Sequence, residues 1–304
     1  MQERVEGRGE LEALVSGRGK AVILAGGHGT RLRPYTTVLP KPLMPIGDKA
    51  ILEIMVDQLR SHGFTELVFT VGYLAHLLQA VFNGGERHGV SITYHLESQP
   101  LGTAGPLGGI IDLDDSFLFM VGDVLTTLDY GAFYDVHKGS GAILTVATYP
   151  RVVPVDFGVL HLSGESGVVR QLIRYEEKPD LNYFVSMGIY AAEPRIRDYI
   201  EPGRPLDLPQ LVERLTDAGE PVSAFVHDGY WLDIGRREDY EQAVEDLDGG
   251  WLVTGRGSGN ARVVSGNGQV DNGNGNGNGY VADSPDLTDD LVLQAGQTDV
   301  QAVT

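Results

Sequence analysis

The chain has 304 residues, 42% of them hydrophobic and 21% charged, which is enough apolar side chain for one large core or two small ones. Its net charge of −19, with no basic run to offset it, repels a phosphate backbone and argues against nucleic acid as a partner. Cysteine is absent, which excludes a disulfide framework and a thiolate zinc site, and the eight histidines, among them His28, His62, His88 and His161, stand singly without metal-ligand spacing.

In chain order, Met1 to Gly19 reads as a loose extension with a short helix at Glu10 to Val15. It carries Glu, Arg and Gly where a leader would be apolar, and nothing in the chain approaches the roughly 18 apolar residues of a membrane span. The expectation is a cytoplasmic protein with no membrane partner. Lys20 to Gly26 (KAVILAG) is a buried strand running into a glycine turn. After it, apolar segments at Glu66 to Val71, Phe117 to Val121 and Ala142 to Ala147 alternate with helical-period stretches at Ile51 to Arg60 and Ala75 to Phe82. That alternation predicts an α/β fold, a Rossmann-like, mixed and mostly parallel sheet with helices on both faces. From about Asp156 the strands crowd together (Gly158 to Leu162, Val169 to Tyr175, Phe184 to Tyr190), followed by helices near Pro194 to Ile200 and Pro209 to Asp217. This half is expected to be a lid-like region on the same domain. Residues 249–304, with NGNGNGNG at Asn272 to Gly279, cannot bury enough surface to offset backbone entropy and read as a low-complexity, disordered tail in which only Leu291 to Leu293 suggests docking. The expected organisation is an extension over 1–19, one domain over 20–248 and the tail. No internal repeat or β-helix hexapeptide pattern is visible, so feedback through such a module is not expected.

Leu24 to Arg33 reads LAGGHGTRLR. Gly26, Gly27 and Gly29 let backbone N–H groups approach an anion without Cβ interference, and phosphate is the natural guest. The spacing matches neither a Walker loop nor the dinucleotide fingerprint, which removes an NAD-dependent reading. Downstream, Pro34, Pro40, Pro42 and Pro45 predict an extended, non-helical loop, with Arg33 and Lys41 pushed out of the α region. This stiff loop presents Arg31 and Lys41 to the turn, where two cations neutralise a triphosphate and the charge that builds at its α-phosphorus. A plain strand-to-helix turn with solvated cations is the alternative.

The pattern L-A-G-G-x-G-T-R-L-x-P followed by P-K-P-L-x-P-I (Leu24 to Pro34, Pro40 to Ile46) resembles the signature of the sugar-1-phosphate nucleotidyltransferases. Its wording is most similar to the mannose-1-phosphate guanylyltransferases, and the resemblance spans about Lys20 to Asp246. It implies an NTP and a sugar 1-phosphate as substrates, Mg2+ as cofactor, nucleotide contacts at Leu24, Ala25, Gly26, Gly27, Gly29 and Thr30, and a nucleobase loop at Glu97 to Leu107 (ESQPLGTAGPL) with Gly102 and Thr103. Members acting on UTP or dTTP often have an amide five residues before that loop's glycine, where this chain has Glu97. A carboxylate accepts from both N1–H and N2–H of guanine, whereas uracil or thymine offers one N3–H, so GTP is favoured over UTP or dTTP.

Phe117 to Asp123 (FLFMVGD) is an apolar strand ending in Asp123 at the carboxyl edge of the sheet, where α/β proteins place ligands. Asp233 ends a second apolar run, GYWLD. Two carboxylates with phosphate oxygens suit the octahedral oxygen preference of Mg2+. The resemblance implies that Gly158 in DFGV, Glu177 and Lys178 in EEKP, and Ser186 in SMGIY serve the sugar phosphate, Glu177 on its hydroxyls and Lys178 on its phosphate. Ser186 stands where the family commonly has Asn, and Ala50 where it often has Pro. The expected reaction joins GTP and mannose 1-phosphate, with UTP or dTTP and glucose 1-phosphate as the alternative pair. A non-catalytic sugar-nucleotide-binding subunit is the reading from another class, which the presence of all four charged residues disfavours. Homo-oligomerisation is left open.

Overall fold

The computed structural model describes residues 17–164 and 168–250. The expected helix at Glu10 to Val15 and residues 251–304 of the expected tail, with its Leu291 to Leu293 segment, lie outside the described residues. The chain enters the sheet at β1 (Ala21–Leu24) and then follows the proline-rich loop. That loop is not simply extended: it winds through three 3-10 turns, Thr30–Leu32, Tyr35–Thr37 and Lys41–Leu43. Proline at the start of such a turn gives up no hydrogen bond, because its missing N–H would be unpaired anyway. The carbonyls of Pro34 and Pro40 instead accept from Thr37 and Leu43 at 3.0 and 2.8 Å. Arg33 keeps the expected extended conformation, with φ −61° and ψ 142°.

The short pair β2 (Pro45–Ile46) and β3 (Lys49–Ala50) leads into α1 (Ile51–Ser61), then β4 (Glu66–Val71), α2 (Ala75–Phe82) and β5 (Ser91–Leu96). Helix α1 begins where the Glu53 carboxylate accepts the Ala50 N–H at 2.7 Å and ends before Gly63, whose φ is +88°. Its buried Leu52, Met55, Val56 and Leu59 recur at helical spacing. Burying each contributes about 1.5–3 kcal/mol. Next come β6 (Phe117–Val121), β7 (Val124–Thr126), α3 (Tyr130–Ser140), and the long strands β8 (Leu144–Pro154) and β11 (Asp180–Ala192), which flank a two-stranded ribbon of β9 (Val159–Leu162) and β10 (Leu172–Glu176). The chain continues through α4 (Leu208–Asp217), β12 (Val222–Val226), β13 (Trp231–Asp233) and α5 (Arg237–Asp248). Pro194–Tyr199, expected as a helix, forms 3-10 turns.

The main sheet has the order β12-β8-β11-β6-β1-β4-β5. Its pairs are parallel except where β11 runs antiparallel to both β6 and β8, so the sheet is mixed and mostly parallel, as expected. Side chains alternate between its faces. Ile23, Phe69 and Met120 meet α1, α2 and α3 on one side, while Val22, Val68 and Phe119 meet α4 and the 3-10 segments on the other. A third cluster, Leu32, Met44, Ile46, Leu125, Ile234 and Ala243, ties the proline-rich loop to β7, β13 and α5. That small cluster holds the loop's cations against the strand ends.

Candidate active site

The site forms where β1 and β6 end side by side. Gly122 donates its N–H to Leu24 O at 2.9 Å, and a Cβ on Gly122 would stand 3.0 Å from that oxygen and 3.5 Å from Pro42 Cγ. Glycine therefore brings the end of β6, the glycine turn and the proline-rich loop together. Ala25 is tied to the other neighbour through Thr70 O at 2.9 Å. The turn itself is shaped by Gly29, at φ +56°, whose carbonyl accepts the Thr36 hydroxyl at 2.7 Å. A Cβ on Gly29 would meet Thr36 Cγ2 at 2.9 Å, so the left-handed residue is also a close approach. Gly27 faces open space, with no atom within 4 Å of where its Cβ would stand.

Lys41 projects from the third 3-10 turn, is buried, and its ammonium ion-pairs with Asp123 Oδ2. Strand β13 pairs antiparallel with β7 so that Asp233 lies opposite Val124, and Ile234 N donates to Asp123 O at 3.1 Å. The two carboxylates, far apart in sequence, thus become neighbours. Burial first, then the adjacent Asp123 charge, pushes the Asp233 carboxyl above the ordinary carboxylate range, and Lys41 and Arg31 oppose that shift. Arg31 also reaches this end of β13: its Nη1 is 3.6 Å from where a Cβ on Gly235 would stand. Arg31, Lys41, Asp123, Asp233 and the glycine turn are therefore one constellation. Among the described residues no group of three or more acidic or histidine side chains assembles as a metal cage. Any cation here would take its remaining oxygens from a ligand.

Glu97 follows β5 and borders the same cleft. Its Oε1 lies 3.1 Å from where a Gly26 Cβ would stand, and its Oε2 accepts Leu101 N at 3.2 Å. The carboxylate is thus held against the glycine turn with lone pairs remaining. Gly102, at φ +76°, turns the following loop. Thr103 lies there too, and its hydroxyl accepts Leu208 N at 2.8 Å while its N–H donates to Asp207 Oδ1 at 3.2 Å. Leu206 completes the clamp, accepting from Ala104 and Gly105 and donating to Leu101 O. Asp207 was missed by sequence reasoning. The signal was the Asp-Leu-Pro start of α4, a helix N-cap that here faces a second loop.

Ser186 sits at an irregularity in β11, where the register against β8 shifts between Ser186 and Tyr190. Its hydroxyl bonds the Tyr190 hydroxyl at 2.8 Å, and the adjoining Met187 carbonyl accepts Trp231 Nε1 at 3.1 Å. Gly188, at φ +75°, packs on Val121, so this turn borders the end of β6. Gly158, Glu177 and Lys178 form a separate group on the ribbon. Tyr175 covers Gly158 so closely that a Cβ there would collide with its hydroxyl, which donates to Glu177 Oε2 at 2.5 Å. Lys178 holds a left-handed φ of +45°. No hydrogen bond or ion pair among the described residues joins this group to the Asp123–Asp233 pair. Asp239, also missed, accepts Gly235 N and Arg236 N at 3.0 and 2.6 Å and adds to the upward push on Asp233.

Comparison with known proteins bears on this arrangement. The chain is 36% identical over 248 residues to the UTP–glucose-1-phosphate uridylyltransferase of Synechocystis sp., covering 75% of this chain and 63% of that protein. It is 34% identical over 229 residues to the mannose-1-phosphate guanyltransferase of Schizosaccharomyces pombe, covering 73% and 62%. It thus spans a little under two thirds of the length of these relatives. Two solved structures share the fold. One is HddC from Yersinia pseudotuberculosis complexed with GMP-PN, with a TM-score of 0.58, 24% identity, and 76% of this chain and 100% of that one covered. The other is a Bacillus anthracis protein assigned as a glucose-1-phosphate thymidylyltransferase, in complex with a sucrose, with a TM-score of 0.61, 23% identity, and 79% and 98% covered. With the nucleotidyl transferase family model matching residues 20–249, which include the glycine turn, both carboxylates and the ribbon, the chain belongs to the nucleotidyl transferase family.

Proposed function

We propose that this chain transfers a nucleoside monophosphate from an NTP to a sugar 1-phosphate and releases pyrophosphate, with GTP and mannose 1-phosphate as the favoured pair. The observation that carries the reading is the meeting of Asp123 and Asp233 beside the glycine turn, with Lys41 and Arg31 supplied by the same cleft. A phosphate oxygen of the sugar phosphate attacks the α-phosphorus and forms the new P–O bond. The bond from that phosphorus to the bridging oxygen breaks, and pyrophosphate leaves with the electron pair. The attacking phosphate is already ionised near neutral pH, so no general base is required. The glycine turn at residues 26–29 offers backbone N–H groups to the phosphates. Arg31 and Lys41 offset charge on the departing pyrophosphate. Glu177 and Lys178 would hold the sugar phosphate, with Gly158 and Ser186 lining its place.

The donor set suits Mg2+: two adjacent carboxylates, with Asp233 raised first by burial and then by the Asp123 charge, would suit a hard, oxygen-preferring cation. Asp123 and Asp233 would hold it, and when bound it neutralises phosphate charge. Glu97 supports guanine through its two-oxygen acceptor edge, held in place by Leu101 N. The 36% identical Synechocystis relative supports the second pairing, UTP with glucose 1-phosphate.

The deciding measurement is pyrophosphate release by the purified chain over GTP, UTP and dTTP crossed with mannose and glucose 1-phosphates, with and without Mg2+. The expectation is a kcat/KM at least about tenfold higher for GTP with mannose 1-phosphate, a difference of about 1.4 kcal/mol in transition-state binding. A faster UTP and glucose 1-phosphate reaction replaces the favoured pair, and no release from any pair ends the reading.

A further inference from the structure

The N–H groups of Gly26, Gly27, His28 and Gly29 donate to no other group among the described residues. That leaves them for an anion, but it also means that the turn's own amides do not hold its shape. Gly27 loosens it further, since nothing stands within 4 Å of where its Cβ would be. The shape has to be fixed by contacts from outside the turn. One comes from the proline-rich loop, where the Thr36 hydroxyl donates to Gly29 O at 2.7 Å. Another comes from the chain leaving β4, which passes so close that a Cβ on Gly72 would stand 3.4 Å from Gly26 O. The next residue, Tyr73, touches both sides. Its ring centroid is 4.8 Å from that of the His28 imidazole, with the planes inclined at 35°, and its hydroxyl donates to Thr37 O at 2.9 Å. Both distances are those of favourable contacts. The glycine turn, Thr36 with Thr37, and Tyr73 therefore form a closed ring.

We propose that Tyr73 is a positioning residue for the NTP: with His28 it clamps the glycine turn to the proline-rich loop, so that the four free amides are pre-set for the triphosphate. The inference rests on the reading of that turn as the phosphate site. A turn left to its glycines would have to be ordered each time a ligand binds, and that ordering weakens affinity. Two observations separate this role from ordinary packing. Tyr73 is half-buried and belongs to none of the three hydrophobic clusters. Leu74, immediately after it, holds a left-handed φ of +54°, a conformation that a leucine rarely adopts. Such outliers persist only where their surroundings over-determine them, and they gather at ligand clamps. Here Leu74 turns the chain into α2, and its carbonyl accepts Leu77 N at 2.9 Å.

The test compares Tyr73→Phe, Tyr73→Ala and His28→Ala with the wild type in the full chain, by initial rates with the substrate pair turned over fastest and by calorimetric binding of inorganic pyrophosphate with Mg2+. Tyr73→Ala loses both the stack and the hydrogen bond and should raise KM for the NTP about 20-fold, with pyrophosphate affinity falling in parallel. KM for the sugar 1-phosphate should stay within about twofold. Tyr73→Phe keeps the stack and should raise the NTP KM about fivefold. His28→Ala should do about the same alone and add little to Tyr73→Ala, because its stacking partner is already gone. In the ligand-free protein, hydrogen exchange at the Leu32 and Thr37 amides, which donate to Gly29 O and Pro34 O, should quicken in Tyr73→Ala. A rise in KM shared equally by both substrates, or exchange unchanged at these two amides, would assign Tyr73 to ordinary packing and overturn the clamp. Undiminished pyrophosphate binding by Tyr73→Ala overturns the clamp alone, whereas a wild type that binds neither NTP nor pyrophosphate removes the phosphate reading of the turn and this role with it.

Discussion

Lys41→Met removes the ammonium from Asp123 while keeping the side chain's length, and its consequence can be worked from exposure. The side chains of Lys41 and Asp123 are 10% and 26% exposed. A solvent-exposed pair contributes about 0–1 kcal/mol, whereas removing one partner from a buried pair costs about 3–5 kcal/mol. This pair lies toward the buried end but keeps some water on the carboxylate, which places the cost at about 2–3 kcal/mol. The loss is sharpened by Asp233, because Lys41 offsets its repulsion from Asp123 and the variant leaves only Arg31 to do so. Asp123→Asn combined with Lys41→Met removes the stranded charge and should recover about half of the loss or more. The assay is urea unfolding of the wild type, the two single variants and the double variant, with the coupling taken from the cycle. A coupling below about 0.5 kcal/mol would mean that the pair contributes no more than a surface contact, and the electrostatic account of the cleft would be wrong. The same Lys41→Met protein should lose about 10²–10³-fold in kcat if Lys41 also meets transition-state charge.

Glu97→Gln should lower kcat/KM for GTP about 10²-fold and UTP much less, because an amide cannot accept from both guanine donors; equal losses for the two nucleotides would remove guanine recognition from Glu97. Gly102→Ala forces a Cβ to 2.7 Å from Leu206 O at φ +76° and should cost about 1–3 kcal/mol while raising KM for the NTP, as read by thermal unfolding and initial rates. Burial holds His137 and His227 below the ordinary histidine value, with Glu193 partly opposing the shift at His137. The unfolded chain therefore takes up those protons first, so stability is full above about pH 6.5 and falls as the pH drops below it, by at most about 1.4 kcal/mol per pH unit per histidine. Urea midpoints from pH 8 to 5 should follow that fall, and His137→Gln should flatten it. An unchanged slope in the variant would refute the assignment.

The strands and helices that sequence patterning located best are those whose burial is uniform. Phe117–Val121 and Glu66–Val71 are interior strands of the sheet, buried on both faces over most of their length, so their boundaries read directly from composition. Helix α3 escaped notice because Tyr130, Phe133, Tyr134 and His137 carry its buried stripe, and such aromatic and histidine positions weaken the helical signal. Helix α5 was missed for the opposite reason, having only Ala243 fully buried. The proline-rich loop was legible as stiff but not as wound, since proline restricts φ without stating whether the next carbonyl closes a turn.

By itself the sequence determined the residues on offer: a glycine turn, Arg31 and Lys41 behind it, two aspartates at the ends of apolar runs, and Glu97 before a glycine-rich loop. The tertiary structure decided what these groups do to one another. The pairing of β13 with β7 brings Asp233 to Asp123, Gly122 lets Leu24 and Pro42 close around them, and the segment at Leu206 to Leu208 clamps the loop that Thr103 occupies. Residue type and spacing are local properties of a chain, whereas proximity across long separations, and the charge repulsion and burial that follow from it, exist only once the sheet has set which strand ends are neighbours.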